Sequence, residues 1–449
     1  VNRVLIFAPG RGAGLFDPLD QTRPPCRLRN GVWSIAERWI KLLEPTAIVA
    51  AVHPSHQAVI KEQTGWSVNG IDDDFARDVW IIEGTASPVR YDDWQENETP
   101  NRFHWTDGHT AVTRLAESDW RDALEDISRW IADGGTRECP GEMPPAVTDE
   151  SVPIRGASGL WSLINHLSEQ LDFDSSLWWD SVKVESLDAI ECHRGAVLIE
   201  ETNIAVSPGV RIGPGCVVDA SSGPVILDAE VVLEPFTHLK GPAYIGRGTR
   251  LLGGKITGPC AFGPGCKLAG EIEASIVQGF ANKAHAGFFG HGILGEWVNL
   301  GAMTTNSDLK NTYGSVRVVR SGETVDTGCT KVGSYLADHT KTGIGTLLPT
   351  GATFGTGVNI LSGGLTAKWI PPFVWVGADN YAEHRLEPML ATAQMVVKRR
   401  AAARTALGLA EEMTEAEIQA LRDCFEESAD SRREFFEAAE AVFQPSSAQ

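Results

Sequence analysis

Between residues 282 and 306 the chain reads NKAHAGFFGHGILGEWVNLGAMTTN. Lys283, His285, His291, Glu296 and three asparagines are set there among glycines and bulky apolar residues. Ammonium, carboxamide and carboxylate groups donate and accept hydrogen bonds, and an imidazole titrates near neutral pH. That mixture suits a surface cleft where a proton moves and a polar substrate is held. A second stretch with chemical potential is FAPGRGAGLFDPLDQTRPPCRL, residues 7–28. Gly10, Arg11 and Gly12 follow the apolar run VLIF there, and a Gly-rich turn after a first strand brings backbone N–H groups close to a phosphate. By itself this second signal is weak. No His, Cys and Asp cluster in the later half has the spacing of a metal site.

The elements around the first stretch follow a six-residue rule. Val206, Ile212 and Val218 are six apart, as are Ile226 and Val232, Ile245 and Leu251, Phe262 and Leu268, Leu294 and Leu300. Val332 and Ile344 are two such steps apart, and IGPG, IGRG and FGPG fall between the aliphatics. This grammar predicts a parallel β-helix over 191–378, each hexad a short strand and a turn with its aliphatic pointing inward, three hexads to a coil. Roughly eight to ten coils are expected. The repeat is interrupted by SDLKNTYGSVRVVRSGETVDTGCTK, read as an extruded loop that frees Lys310 and Asn311 to reach a neighbouring subunit.

Residues 1–190 alternate apolar runs (VLIFA, AIVAAV, VWIIEG) with helical patterns (WSIAERWIKLL, DWRDALEDISRWIA), which predicts a parallel, doubly wound α/β domain with a helical linker. Residues 379–449 carry helical periodicity, with Thr414 and Glu417 at capping-box spacing, and are expected to form a helical tail on the coil or on a neighbour. The 39 Lys and Arg against 59 Asp and Glu leave a formal charge of −20, which argues against general nucleic-acid or anionic-membrane binding. No run approaches the roughly 20 apolar residues of a membrane span. The opening VNRVLIFAPGRG lacks the parts of a signal peptide, so a cytoplasmic protein is expected, its eight scattered cysteines reduced.

NKAHAGFFG followed by LGEWVNLGAMTTNSDLKN resembles the KAGHxxYxG … IGDxVNIGAGTxxxNYDGxNK region of the GlmU family, the bifunctional N-acetylglucosamine-1-phosphate uridyltransferases and glucosamine-1-phosphate N-acetyltransferases. DHTKTGIGTLLPTG and GGLTAKWIPPFVW extend the likeness to a divergent GlmU-like subfamily. The resemblance implies a left-handed β-helix, a homotrimer with acetyl sites between neighbouring coils, acetyl-CoA as donor and an amino-sugar 1-phosphate as acceptor. On it His285 falls at the general base, Glu271, Lys283, Asn299 and Lys310 at sugar and phosphate contacts, and Asn306 at the acetyl-CoA side. Ala302 falls where a backbone N–H faces the thioester. Lys341 reads either as a contact to a CoA phosphate or as an exposed coil-corner lysine, and His291 and His339 as structural or rim residues. The family's tyrosine is Phe288 or Phe289 here, and Glu273 replaces a lysine two places after the carboxylate.

The first domain is similar, more distantly, to the GxGTRMxPLTxxxPK loop of sugar-phosphate nucleotidyltransferases through Gly10, Gly12, Pro18, Leu19 and Pro24. Gly14 and Pro25 replace its arginine and lysine; Arg11, Arg23 or Arg27 stands in for the lost charge. Glu83 takes the place of a Mg²⁺-binding aspartate. Two enzymatic readings follow: acetyl transfer joined to uridylyl transfer with UTP and Mg²⁺, or acetyl transfer with a non-catalytic first domain. A β-helix scaffold without activity is the third.

Overall fold

The computed structural model describes residues 3–9, 14–70, 78–88, 101–104, 110–135, 146–147, 154–181, 185–378 and 380–443. Gly10, Arg11 and Gly12 lie outside them. Among the described residues a seven-stranded sheet runs in the order Ser67–Val68, Ala47–Ala50, Arg3–Ala8, Asp78–Glu83, Thr110–Ala116, Asn101–His104, Ala146–Val147. Its first four strands are parallel, and Val4 to Ala8 are buried, as a sheet covered on both faces requires. Thr110–Ala116 is antiparallel to both of its neighbours, so the sheet is mixed rather than parallel throughout. The reason is local: the connection from Asn101–His104 is too short for a crossover, and only an antiparallel return fits it.

The helix Ile35–Leu43 starts on a capping box between Ser34 and Glu37 and buries Trp39 under the Ala86 carbonyl (Nε1–O 2.7 Å). Arg38 on the same helix is fully buried. Its guanidinium forks onto Asp174 of the helix Leu167–Ser181 at 2.6 and 2.8 Å, with Asn30 accepting a third bond at 2.7 Å. The linker is thus nailed to the first domain by a desolvated ion pair.

From Glu191 the chain coils. Ten parallel strands among the described residues stack along one face, from Glu191–Cys192 to Val374–Val376, and Arg250, Lys267, Asn282 and Asn299 sit in register on successive coils. Val206, Ile212, Val218, Ile245, Leu251, Phe262, Leu268, Leu294 and Leu300 fill the coil interior. Four expected inward residues do not, and one of them, Val332, is buried instead in the cluster that holds Val316, Val318 and Tyr335. Val232 is half-buried on the outer surface beside the inward Leu233, Ile344 is 76% exposed at a turn, and Ile226 points out between the inward Val225 and Leu227. Successive strand residues face opposite ways, so a one-residue slip in reading the hexad reverses a side chain. Ile226 is buried nonetheless, because Trp178 and the rest of the linker cover its face.

The helical tail comprises Leu386–Lys398, Ala401–Thr405, Glu415–Glu427 and Ala429–Phe443. It bridges the other two units: Met389, Leu390 and Leu421 pack on Phe373 of the coil, and Ala420 packs on Val59 and Ile60 of the first domain. No helix among the described residues is long and apolar enough to cross a membrane, and the seven described cysteines are unbridged.

Removing one member of the Arg38–Asp174 pair leaves a charge stranded in the core. Asp174→Ala is expected to cost about 3–5 kcal/mol, seen as a lower urea midpoint, while the double variant Arg38→Met/Asp174→Leu recovers most of the loss. A single variant that unfolds at the parental midpoint refutes this role.

Candidate functional site

Each coil has three turns, and the turns stack into three edges. On the first edge the N–H of Trp297 meets the Gly279 carbonyl, that of His339 meets Glu296, and that of Gly357 meets Asp338. Phe280, Trp297 and His339 all take left-handed backbone conformations here (φ +53°, +63° and +61°). Their rings line up, Phe280 on Trp297 at 4.3 Å and Trp297 with His339 at 6.2 Å, and Val397, Ala403 and Leu409 of the tail cover them. The second edge runs from Glu273 through His291 to Gly333 and carries the long loop. That loop folds back rather than outward: its hairpin Arg317–Arg320 and Glu323–Asp326 docks on the first domain, Ser321 N–H to Asp17 at 2.8 Å and Arg320 to the Ser158 carbonyl at 3.1 Å.

Among the described residues nothing covers the third edge at the level of the long loop, and His285 is on it. The N–H of Met303 bonds the Ala286 carbonyl, Gly345 bonds Ala302, and Gly364 bonds Gly345, so residues 285–286, 302–303, 344–345 and 363–364 form one column. His285 is exposed, and no hydrogen bond ties its ring to another described side chain. Ala302 sits in the turn one coil on; its carbonyl is engaged by Gly345, while its N–H donates to no group among the described residues. One flank of this edge is polar. Asn282, Asn299, Lys341 and Asn359 succeed each other in register, with Asn282 donating to Asn299 at 2.7 Å. The other flank starts with Glu271 and Phe288, paired in register, and goes on through Thr305 and Leu347 to Leu365. Phe289 is in the coil core, so Phe288 is the aromatic that takes the outer position.

The turn at His285 is shaped from within. Lys283 is 2% exposed, and its ammonium donates to the carbonyls of Ala269 (2.9 Å), His285 (3.1 Å) and Gly287 (2.7 Å). Burial pulls this lysine down to about 8. Gly270 leaves the room it needs, since a Cβ there would come within 2.8 Å of the Lys283 nitrogen, and Gly287 (φ +131°) passes under the Thr304 carbonyl. Lys283 therefore holds the loop that presents His285, and all three of its protons are taken; it is not placed to hold a sugar.

Other expected site residues are also drawn elsewhere. Asn306 is 2% exposed and bonds both backbone groups of Gly290 at 2.9 Å, which makes it an interior rung rather than a CoA contact. Lys310 is tied to the Ser315 carbonyl within its own loop, and that loop leans on its own first domain; Asn311 stays exposed near the tip. Arg23 is held between Asp338 and Glu296 of the coil, the latter at 2.9 Å, instead of standing free for a nucleotide. Glu83 accepts from Thr85 at 2.9 Å, and among the described residues no three His, Cys or acidic side chains converge as a metal site would require. Glu271 is exposed and ion-paired with Lys255 at 3.3 Å. Lys341 donates to the His339 carbonyl at 3.0 Å and is lowered by burial to about 8. His339 is a core residue, and His291 is paired with Asp308 at 2.8 Å. The residues that sequence reasoning passed over are Asn282, Asn359 and the apolar Met303, Leu347 and Leu365. Asn282 and Asn299 are one coil apart, a spacing that was there to be read.

No protein-family model matches the chain. It is similar to the bifunctional protein GlmU of Gloeothece citriformis, 29% identical over 175 residues that make up 36% of this chain and 32% of that protein. It is likewise similar to the GlmU of Synechococcus elongatus, 24% identical over 213 residues, 39% of this chain and 40% of that one. The chain thus spans about a third to two fifths of the curated relatives it matches, and both are proteins of the family that its motifs resemble. Among solved structures, LpxA from Acinetobacter baumannii covers 54% of this chain at 15% identity with a TM-score of 0.25, which adds nothing to what the coils themselves display.

Replacing Lys283 separates its two roles. Lys283→Met removes the ammonium donor from the Ala269, His285 and Gly287 carbonyls, the last of which keeps the Glu271 N–H, at a total cost of about 1–3 kcal/mol, so a lower melting temperature is expected together with a lower turnover number. A raised KM at an unchanged melting temperature would instead return Lys283 to the substrate.

Proposed function

We propose that the open edge is the site of acetyl-CoA-dependent N-acetylation of an amino-sugar 1-phosphate, with glucosamine 1-phosphate the leading acceptor. The observation that carries this reading is the pairing of an unengaged, exposed His285 with the unengaged N–H of Ala302 one coil away. His285 takes a proton from the amine as its nitrogen attacks the thioester carbonyl. The Ala302 N–H faces the oxygen on which charge develops. As the tetrahedral centre collapses, the C–N bond stays, the C–S bond breaks, and the proton passes from the imidazolium to the CoA sulfur. Glu271 and Asn299 flank His285 on opposite sides and serve the sugar.

The active form in this reading is a homotrimer. Met303 (57% exposed), Ile344 (76%), Leu361 (56%) and Leu365 (75%) lie on or beside the same edge. Contiguous apolar side chains of this kind mark a surface that another body covers, and a second copy placing its own edge there would wall in His285. The first domain enters as a docked module: Arg23 is closed on the coil, and Glu83 is the lone candidate for a metal carboxylate among the residues the resemblance singles out.

The test is thiol release from acetyl-CoA in the presence of glucosamine 1-phosphate, which His285→Ala is expected to slow by roughly 10²–10⁴. Equal rates would move the base elsewhere. With UTP, Mg²⁺ and N-acetylglucosamine 1-phosphate no pyrophosphate is expected, and its release would restore uridylyl transfer to the first domain. Ile344→Glu is expected to convert a sedimenting trimer to monomer and to lose activity with it; a trimer that survives the charge refutes this interface.

A further inference from the structure

On the first edge, where the first domain, the aromatic column and the tail meet, lies a cavity of about 450 Å³. It is within the size range of small-molecule sites. Its walls carry four arginines and four carboxylates: Arg23, Arg27, Arg29 and Arg404 against Glu37, Glu296, Asp338 and Glu417. Formal charge cancels, but hydrogen-bonding capacity does not.

The acceptors are engaged. Asp338 receives Thr22 at 2.6 Å, the Glu296 N–H at 2.7 Å and Arg23. Glu296 receives Arg23 at 2.9 Å. Glu417 takes two nitrogens of Arg404 at 3.0 Å and the Thr414 N–H at 3.0 Å, and Glu37 is closed on the Ser34 N–H at 2.8 Å. Donors are left over. The Nε atoms of Arg23 and Arg29 are buried without a partner among the described residues. The Arg27 side chain makes no hydrogen bond among the described residues; it lies 5.5 Å over the Trp66 ring, its nearest carboxylate oxygen on Glu37 at 4.0 Å. His339, 6% exposed, adds a buried Nδ1 with no partner among the described residues, a donor or an acceptor according to its tautomer. Burial, with Lys341 nearby, lowers His339 to about 3, so its ring is neutral. Unpaired buried donors are rare in native proteins and cost free energy unless something accepts from them.

We propose that this cavity binds a small oxyanion-bearing metabolite, a phosphate ester or a polycarboxylate, whose oxygens accept from Arg27 and Arg29 while its less polar part rests against Trp66 and Ile60. The walls come from all three units, so the ligand favours their docked arrangement. The site is on a different edge from His285 and does not depend on the acetyl-transfer reading.

Thermal unfolding and titration calorimetry with inorganic phosphate, glucose 6-phosphate and citrate, against chloride at matched ionic strength, test this. At least one probe is expected to raise the melting temperature saturably. Arg27→Gln, which removes no hydrogen bond among the described residues but gives up the contact over Trp66 and the pairing with Glu37, should melt slightly below the parent without ligand and bind about 10- to 100-fold more weakly, with Arg27→Lys in between. His285→Ala should respond like the parent. Glucose 6-phosphate acting alone would identify a phosphate ester, and citrate alone a polycarboxylate. The proposal falls if no probe shifts the melting temperature, if Arg27→Gln binds as the parent does, or if His285→Ala abolishes the response, which would put the anion on the acetyl-transfer edge.

Discussion

The rest of this structure depends on one constraint, the alternation of side chains along strands that wind around a three-sided coil. Every second residue fills the interior, and the residues between them face out. On one face those outward residues are Ala205, Ile226, Tyr244, Ala261, Ile276, Ile293 and Tyr335, none of them more than 4% exposed. Burying a large apolar side chain is worth about 1.5–3 kcal/mol, so a face of this composition does not stand in water. The linker helices cover it, with Trp178 edge-on to Tyr244 at 5.9 Å, and the first domain follows because Asp174 of the linker is clasped by Arg38. The tail and the hairpin then close the edges that border this face. What remains open is the edge farthest from it. The candidate surface is thus defined by subtraction, as the edge that the described residues of the other units leave alone.

Within that edge the decisive local contact is a buried ammonium. Lys283 turns three carbonyls inward, and a carbonyl turned in leaves its peptide plane rotated so that the neighbouring side chain stands out. An apolar residue at 283 would fill the same volume but would not gather the Ala269, His285 and Gly287 oxygens onto one point. The arrangement explains why a lysine is found in the strand Asn282–Lys283 at an inward position where its neighbours on other coils are Leu268 and Leu300.

The coil was legible in the hexads because its signal is local: an aliphatic and a small turn residue recur within six positions, whatever the rest of the chain does. Which flank of a hexad points inward was less secure, as Ile226, Val232 and Ile344 illustrate, because a neighbouring aliphatic mimics the pattern one residue out of step. The destinations of the polar residues were legible only in part. His285 and Asn299 reach the surface that the motif implied. Lys283, Asn306 and Arg23 do not, since what each meets is set by coil stacking or by domain docking: Asn306 finds Gly290 sixteen residues back, and Arg23 finds Asp338 across 315 residues. Gly290 and Asn306 share the stretch 282–306, yet only the stacking of consecutive coils brings them together, and no local window holds both Arg23 and Asp338.

The same reasoning bears on the segment after the first strand, whose glycines suggested a phosphate cradle. From Gln21 onward it is a tie to the coil: Gln21 accepts from the Thr356 N–H at 2.9 Å, Thr22 and Arg23 close on Asp338, and Arg29 exchanges two backbone bonds with the Gln278 amide at 2.8 and 3.1 Å. A loop that wraps a nucleotide needs its cations unpaired and its backbone free to close, and this one has neither between Gln21 and Arg29 except at Arg27 and at the Nε atoms of Arg23 and Arg29. The positive charge that Gly14 and Pro25 forgo is therefore supplied by arginines that face the coil. Their residual donors open onto the junction between domains, so whatever anion-binding capacity this segment retains is directed at the interface and away from the strand ends of the first domain's sheet.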